Sequence, residues 1–264
     1  MKQERARWWT CPQTWLIGAV LALLLVGAYG LQRYMIQGAG PVAGPVPVID
    51  KMVSQAPSTK PRPQPVDCAA MPCLALTFDD GPNPLTTPQI LSALEAAHVR
   101  ATFFVVGSRV PGNEAILRRM YADGFEIGNH SWSHPDLTKL PAVQVHEQVI
   151  RTQLVVMAAG VPPPTLFRPP YGAVNQTVRS QVPLTLALWD EDPEDWKTAD
   201  VNQIVTKTLA AARPGRVVDM HDIYAPTVQA MPQLLEKLKS QYRLVTMSEL
   251  LNLTPGQRGE FFGR

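Results

Sequence analysis

The sequence predicts an α/β fold, a parallel sheet with helices outside it, and three observations predict it. Short apolar runs of strand length alternate with stretches of helical periodicity from residue 73 onward, turn residues punctuate them, and polar clusters recur just past the ends of the strand-like runs. The units are numerous enough to close into a barrel, although periodicity alone does not separate a barrel from an open doubly wound sheet. A membrane-directed segment over residues 1–35 and a proline-rich linker over 36–66 precede the folded domain, which is expected over 67–264.

The elements follow in order. Residues 73–78 form a short apolar run that reads as a buried strand and stops abruptly at Asp79-Asp80-Gly81-Pro82. Residues 87–98 place Ile90, Leu91, Leu94 and Ala97 at helical spacing, and 101–106 return to a strand pattern. Residues 113–123 read as helix, 124–127 as strand, 142–159 as a long helix and 185–189 as strand. A helix over 201–212, a strand over 216–220, a helix over 228–240, a strand over 243–245 and a short helix over 248–251 complete the domain.

Composition narrows the function classes. Of 264 residues, 45% are hydrophobic and 17% charged, so the chain can bury a core and is not a disordered polymer. The 24 basic and 22 acidic residues leave a net charge of +2, which lacks the concentrated positive surface that nucleic-acid binding demands. No protein partner is implied. Seven of the 26 prolines fall between Pro41 and Pro65, a spacer composition that favours extended chain.

Residues 8–32 carry no charge, and the apolar run over 15–31 follows Lys2, Arg5 and Arg7. Such a segment can span a membrane with its N-terminus cytoplasmic, which places the rest of the chain outside the cytoplasm. Cleavage as a signal peptide is the rival reading, since Ala28-Tyr29-Gly30 offers small residues at a suitable place; the protein is then secreted. A buried core helix is the third reading. In an exported protein Cys68 and Cys73 are read as a small disulfide loop, metal binding by the pair being the alternative; Cys11 is assigned no role.

Two adjacent carboxylates, Asp79 and Asp80, end the first strand. Neighbours in an extended segment point to opposite faces, so a turn must begin here if both are to serve one site, and Gly81-Pro82 supplies it. Alone, the pair reads equally as turn formers and helix caps. Asn129-His130-Ser131-Trp132-Ser133-His134-Pro135 then brings two of the chain's five histidines to positions i and i+4, where one helical turn would aim both imidazoles at one metal; ordinary polar surface is the plainer reading of a lone pair so spaced. His221 ends another strand-like run. Arg168-Pro169-Pro170-Tyr171-Gly172 and Asp192-Pro193-Glu194-Asp195-Trp196 each read alone as loops. His98 and His146 are expected at the surface.

These five segments, in this order, resemble the five motifs of the polysaccharide deacetylase family, also called carbohydrate esterase family 4, over roughly residues 68–253. The resemblance implies a distorted (β/α) barrel of about seven strands and one divalent metal ion, zinc first, with cobalt, nickel or iron serving such ligands equally well. It implies Asp80, His130 and His134 as metal ligands, Asp79 as general base, His221 as general acid and Asp195 as the carboxylate that keeps His221 charged. Arg168 would orient Asp79, the Tyr171 backbone N–H would hold the oxyanion, and Trp196 would line the acetyl pocket. The implied reaction removes N-acetyl groups from an amino-sugar polymer, peptidoglycan N-acetylglucosamine first and chitin oligomers second. An esterase for O-acetylated xylan and a non-catalytic glycan-binding module are the alternatives.

One position departs from the pattern. Where the family usually has an aliphatic residue against the acetyl methyl, this chain has Asp219. A buried, uncompensated carboxylate would cost several kcal/mol, so Asp219 is expected to be protonated, paired or solvent-facing. Either it turns away to bond a neighbouring loop, or it alters the acyl pocket or the charge of His221; under the pocket reading, Asp219→Leu raises activity on N-acetyl substrates.

Overall fold

The computed structural model describes residues 66–254 and 256–263. The expected membrane segment, and the linker up to residue 65, lie outside them. Among the described residues no helix is long and apolar enough to cross a membrane.

Strand β1 (Cys73–Asp79) is buried at every position, which is why its sequence is a nearly continuous apolar run and not a clean alternation. In chain order it is followed by α1 (Thr87–Ala96), β2 (Thr102–Val105), α2 (Glu114–Asp123), β3 (Glu126–Asn129), α3 (Ala142–Ala158), β4 (Leu166–Phe167) and α4 (Gln176–Gln181). Then come β5 (Thr185–Ala187), α5 (Val201–Ala211), β6 (Val217–His221), α6 (Ala225–Lys239), β7 (Arg243–Val245), α7 (Met247–Leu251) and β8 (Glu260–Phe261). Among the described residues the sheet has eight strands, all paired in parallel, in the order β6-β1-β2-β3-β4-β5-β8 with β7 also on β1. It curls: beyond β5 the chain returns to β6, where Glu191 bridges Val218 and the Asp190 N–H donates to the Val217 carbonyl.

The expected alternation is present as this curled parallel sheet, with eight strands in place of about seven. Several boundaries move for local reasons. β3 begins at Glu126 and not 124 because Gly124, at φ 88°, is the left-handed cap that ends α2. α6 begins at Ala225 and not 228 because Pro226 occupies its first turn, where a missing N–H costs no helical bond. The two-residue strands β4 and β8, and the short α4, are absent from the sequence reading.

Period-two alternation in β1 sorts its side chains. Leu74, Leu76 and Phe78 pack outward with Ile90, Leu91 and Leu94 of α1 and Leu234 and Leu238 of α6. Ala75 faces the other side with Phe104, Leu166, Ala187 and Val217. Continuing that second side puts Thr77 and Asp79 inside the curl. The same alternation in β6 puts Val217, Asp219 and His221 inside, and the parallel register sets Thr77 beside Asp219 and Asp79 beside His221. The polar motifs thus gather at the C-terminal ends of the strands, where parallel sheets leave an open crevice. Below the sheet's other end Cys68 and Cys73 are joined in the expected disulfide.

Candidate active site and metal centre

At the end of β1 the backbone turns through Asp80, whose φ of 75° reverses the direction its side chain would take in a strand. Asp79, 3% exposed, stays inside the curl while Asp80 swings toward the same opening. The next residue has to be glycine: a Cβ at Gly81 would lie 2.2 Å from Asp222 Oδ2. Asp222 is fully buried and accepts from Thr87 Oγ1 at 2.6 Å, and burial pushes its carboxyl up to about 7.

Asp80, His130 and His134 each offer one donor atom, and these atoms lie within 4.8 Å of one another. His134 Nε2 is 3.4 Å and His130 Nε2 3.8 Å from Asp80 Oδ1. The histidines do not share a helical turn, which corrects the sequence expectation. Residues 130–134 form a loop in which Ser131 (φ 66°) and His134 (φ 59°) are left-handed. Side chains take the place of helical bonding: Asn129 Oδ1 accepts from the Ser131 N–H, Ser131 Oγ from the His134 N–H, and Gln148 Oε1 of α3 from the N–H groups of Trp132 and Ser133. Pro135 disfavours helix at His134 in any case.

The donor set fits a divalent metal. His130 Nδ1 lies 2.7 Å from the Arg168 carbonyl, which accepts a hydrogen bond from the Nδ1–H and leaves Nε2 with the lone pair facing Asp80. Burial lowers the proton affinity of His130 against the raising pull of Asp79 and Asp80, so the imidazole is neutral, the form a metal requires. Two imidazoles and one carboxylate leave coordination positions for water or substrate.

Arg168 leaves the end of β4 and runs back into the curl with no exposure at all. Its Nε donates to the Ala187 carbonyl at 3.0 Å, its Nη2 to the Leu188 carbonyl at 3.3 Å, and its plane stacks 4.0 Å from the Phe104 ring centre. Nη1 meets three acceptors: Thr77 Oγ1 at 2.8 Å, Asp79 Oδ1 at 2.8 Å and Asp219 Oδ1 at 2.7 Å. One positive charge therefore serves two buried carboxylates. Asp219 is 3% exposed and paired, one of the three states its burial allows, with its carboxylate directed to Arg168. Burial, then the charge of Asp79, raise its carboxyl well above the usual range despite Arg168 and His221.

His221 caps β6 opposite Asp79. Asp195 holds it at two points: Oδ1 is 2.9 Å from Nδ1, and Oδ2 accepts from the His221 N–H at 2.9 Å and from Thr227 Oγ1 at 2.7 Å. Burial works against the imidazolium, but the hydrogen bond and charge of Asp195, then the charges of Asp219 and Asp79, raise His221 to about 10.

The Tyr171 ring, 67% exposed, stands edge-on 4.7 Å from His134, and its backbone is left-handed at φ 61°. Trp196 is half exposed and carries the Lys197 ammonium 4.6 Å over its ring. Outside these motifs His98 is exposed, and His146 on α3 is half-buried. Sequence reasoning missed Thr77, Asn129, Gln148, Asp222 and Thr227. Only the first two left a signal, as polar residues inside otherwise apolar strand-like runs.

A curled parallel sheet whose C-terminal edge carries three donors able to hold a metal, a buried Arg–Asp pair and a His–Asp pair defines a class of (β/α) proteins with a candidate metal centre. Comparison with known proteins places the chain within it. The polysaccharide deacetylase family profile matches residues 67–185. The peptidoglycan-N-acetylmuramic acid deacetylase PdaC of Bacillus subtilis is 48% identical over 178 residues, 67% of this chain and 38% of its own length. A chitooligosaccharide deacetylase of Sinorhizobium fredii is 35% identical over 188 residues, covering 70% of this chain and 85% of that protein. The solved structure of peptidoglycan deacetylase PdaC from Bacillus subtilis superposes with a TM-score of 0.69 at 46% identity, covering 71% of this chain and 93% of that one. The chain belongs to the polysaccharide deacetylase family, and it spans 38% of the length of the curated Bacillus relative.

Proposed function

We propose that this chain hydrolyses the N-acetyl groups of an amino-sugar polymer outside the cytoplasm, peptidoglycan first and chitin-type oligomers second, with one divalent metal, zinc first, held by Asp80, His130 and His134. The observation that carries the reading is the juxtaposition of that donor set with two proton-handling groups on paired strands, the buried Asp79 and the half-buried His221. The metal, when bound, lowers the pKa of water and polarises the amide carbonyl.

This chain's residues do the rest. Asp79, oriented by Arg168 at 2.8 Å, takes the proton of the attacking water as its oxygen bonds to the acetamide carbon. The backbone N–H of Tyr171 faces the oxygen that gains charge. His221, held as imidazolium by Asp195, gives its proton to the sugar nitrogen as the C–N bond breaks, releasing acetate and a free amine. Trp196 walls the acetyl pocket, and Asp219 lies below Asp79 and His221, where its contact is to Arg168. The Cys68–Cys73 disulfide supports an exported domain, since such bonds persist in oxidising compartments. Whether the N-terminal segment anchors the domain or is cleaved, the catalytic part lies outside the cytoplasm.

The test is acetate release from peptidoglycan fragments, chitin oligomers and O-acetylated xylan by the chelator-stripped chain with and without added metal. Metal-restored release from the N-acetylated substrates, lost in Asp79→Asn and His134→Ala, supports the reading. Release from xylan alone makes the chain an esterase. No release with metal demonstrably bound makes it a glycan-binding module.

A further inference from the structure

Inside the curl the reaction leaves Asp219 without a role. It stands one inward-facing position below His221 on β6, beside Thr77, which stands one inward-facing position below Asp79 on β1. Along a strand that step is about 7 Å. Asp79 and Asp219 lie 2.8 Å and 2.7 Å from one nitrogen, Arg168 Nη1, so the two carboxylates are near neighbours. Asp219 is therefore part of the floor beneath the two groups that handle the protons.

Its two oxygens differ. Oδ1 accepts from Arg168, whereas Oδ2 has no hydrogen-bond partner among the described residues. Oδ2 is nevertheless not sealed off in the way that Asp222 Oδ1 is, and the side chain keeps 4% of its surface open. Since the side chain is on the inner face of β6, that opening is into the curl. Thr77 has nothing to offer there. Its Oγ1 donates to the Val218 carbonyl at 2.9 Å and accepts from Arg168 at 2.8 Å.

The reacting carbon, once tetrahedral, has four substituents. The entering oxygen is beside Asp79, the oxygen that gains charge faces the Tyr171 N–H, and the sugar nitrogen is at His221 with the polymer outside the open edge. The direction left for the acyl carbon is down into the curl, toward Asp219 and Thr77. A plain methyl group there keeps water from Oδ2 and gives it no partner, which costs binding. A hydroxyl on that carbon supplies the partner: it donates to the carboxylate, or accepts from the carboxylic acid.

Resting on the deacetylase reading above, we infer that Asp219 is a specificity residue for the acyl group and that the amide this site prefers is 2-hydroxyacetyl, with acetyl the poorer substrate. The bonds made and broken are those of the acetyl reaction. Water adds to the carbonyl carbon as Asp79 takes its proton, His221 protonates the nitrogen as the C–N bond breaks, and 2-hydroxyacetate and a free amine leave. Water is the one co-reactant.

The test measures kcat/KM of the metal-loaded full chain on two glycans, a chitin-type tetramer and a peptidoglycan strand fragment, each prepared with acetyl, 2-hydroxyacetyl or propionyl on nitrogen. The released acid is quantified. Propionyl matches 2-hydroxyacetyl in size and puts a methyl where the hydroxyl was, so it separates polarity from room. Wild type is expected to favour 2-hydroxyacetyl over both others by at least tenfold, because a site that hydrogen-bonds a substrate hydroxyl discriminates against analogues lacking it. Asp219→Leu is expected to remove that preference and to raise acetate release, and Asp219→Asn, which keeps a hydrogen-bonding side chain, to retain part of it. Should the leucine variant fail to fold, the wild-type ratios and the Asn variant still decide. Equal rates on 2-hydroxyacetyl and propionyl in wild type, or a preference that survives in Asp219→Leu, overturn the inference and leave Asp219 as a partner of Arg168 alone. Acetate release together with either failure leaves the deacetylase reading standing; release of no acid from either glycan, with metal demonstrably bound, ends both.

Discussion

Replacing Asp195 by Asn tests the proton economy of the site most directly. The His221 imidazolium is held at about 10 against an ordinary value of 6.5, and Asp195 supplies both the hydrogen bond to Nδ1 at 2.9 Å and the first of the raising charges. A displacement of that size corresponds to about 5 kcal/mol of preference for the charged ring at about 1.4 kcal/mol per pH unit. Asn can still accept one hydrogen bond but removes the charge, and burial then pulls the ring down toward its ordinary value against the remaining charges of Asp219 and Asp79. For a ring titrating near 6.5, only about 3% is protonated at pH 8, so kcat/KM at that pH falls about 30-fold from protonation alone. The assay is acetate release by the metal-loaded chain from pH 5 to 11, and the basic limb is expected to move from about 10 toward 6.5. Stability carries the same sign: a raised histidine stabilises the fold fully below 6.5 and loses that contribution as pH rises through about 10. A basic limb that stays in place in Asp195→Asn refutes the assignment of His221 as the acid.

Three other outcomes are expected. Arg168→Met leaves Asp79 and Asp219 buried without a counter-charge, and a loss of about 3–5 kcal/mol in urea unfolding checks it. Asp222, raised by burial to about 7 from 3.8, stabilises the fold fully below 3.8 and loses that contribution, up to about 4 kcal/mol, as pH rises through 7; in Asp222→Asn the difference in Tm between pH 4 and pH 8 is expected to shrink. Breaking the Cys68–Cys73 bridge as the double serine variant opens a short loop, and chain entropy sets the cost near 2 kcal/mol in the same unfolding assay.

What could be read from the sequence divides along the length over which a pattern repeats. The buried strand over 73–78 and the helix over 87–98 carry several side chains per face, so period and turn residues identify them, while β4 and β8 have two residues each and no period to show. The flanking prolines at 162–164 and 169–170 also hide β4, although its position delivers Arg168. The His130–His134 spacing pointed to one metal but through the wrong backbone: a left-handed loop pinned by Gln148, fifteen residues or more along the chain, leaves no local signature. The cross-strand partners Asp79 and His221, and Thr77 and Asp219, are invisible for the same reason, since register between β1 and β6 depends on closure of the sheet and not on either segment.

That register makes Asp219 a second carboxylate on the Arg168 guanidinium. Arg168 Nη1 has two hydrogens and three acceptors, and Thr77 Oγ1 already gives its own proton to the Val218 carbonyl at 2.9 Å, so it can only accept from the guanidinium. Removing Asp219 therefore leaves two hydrogens for two acceptors and one positive charge for one carboxylate. Asp219→Leu, or the smaller Asp219→Val, is expected to leave stability at pH 5 within about 1–3 kcal/mol of wild type, the range of a packing change. Raising the pH should then favour the variant. The wild-type carboxyl, raised by burial and by Asp79, stabilises the fold when protonated and loses that contribution as pH rises through its folded pKa, whereas the aliphatic side chain has nothing to lose. Urea unfolding at pH 5 and pH 8 reads the difference. If Asp219→Leu instead behaves like Arg168→Met, falling by several kcal/mol at both pH values, then both carboxylates are needed to hold the guanidinium, and the charge count that makes Asp219 the surplus member is wrong.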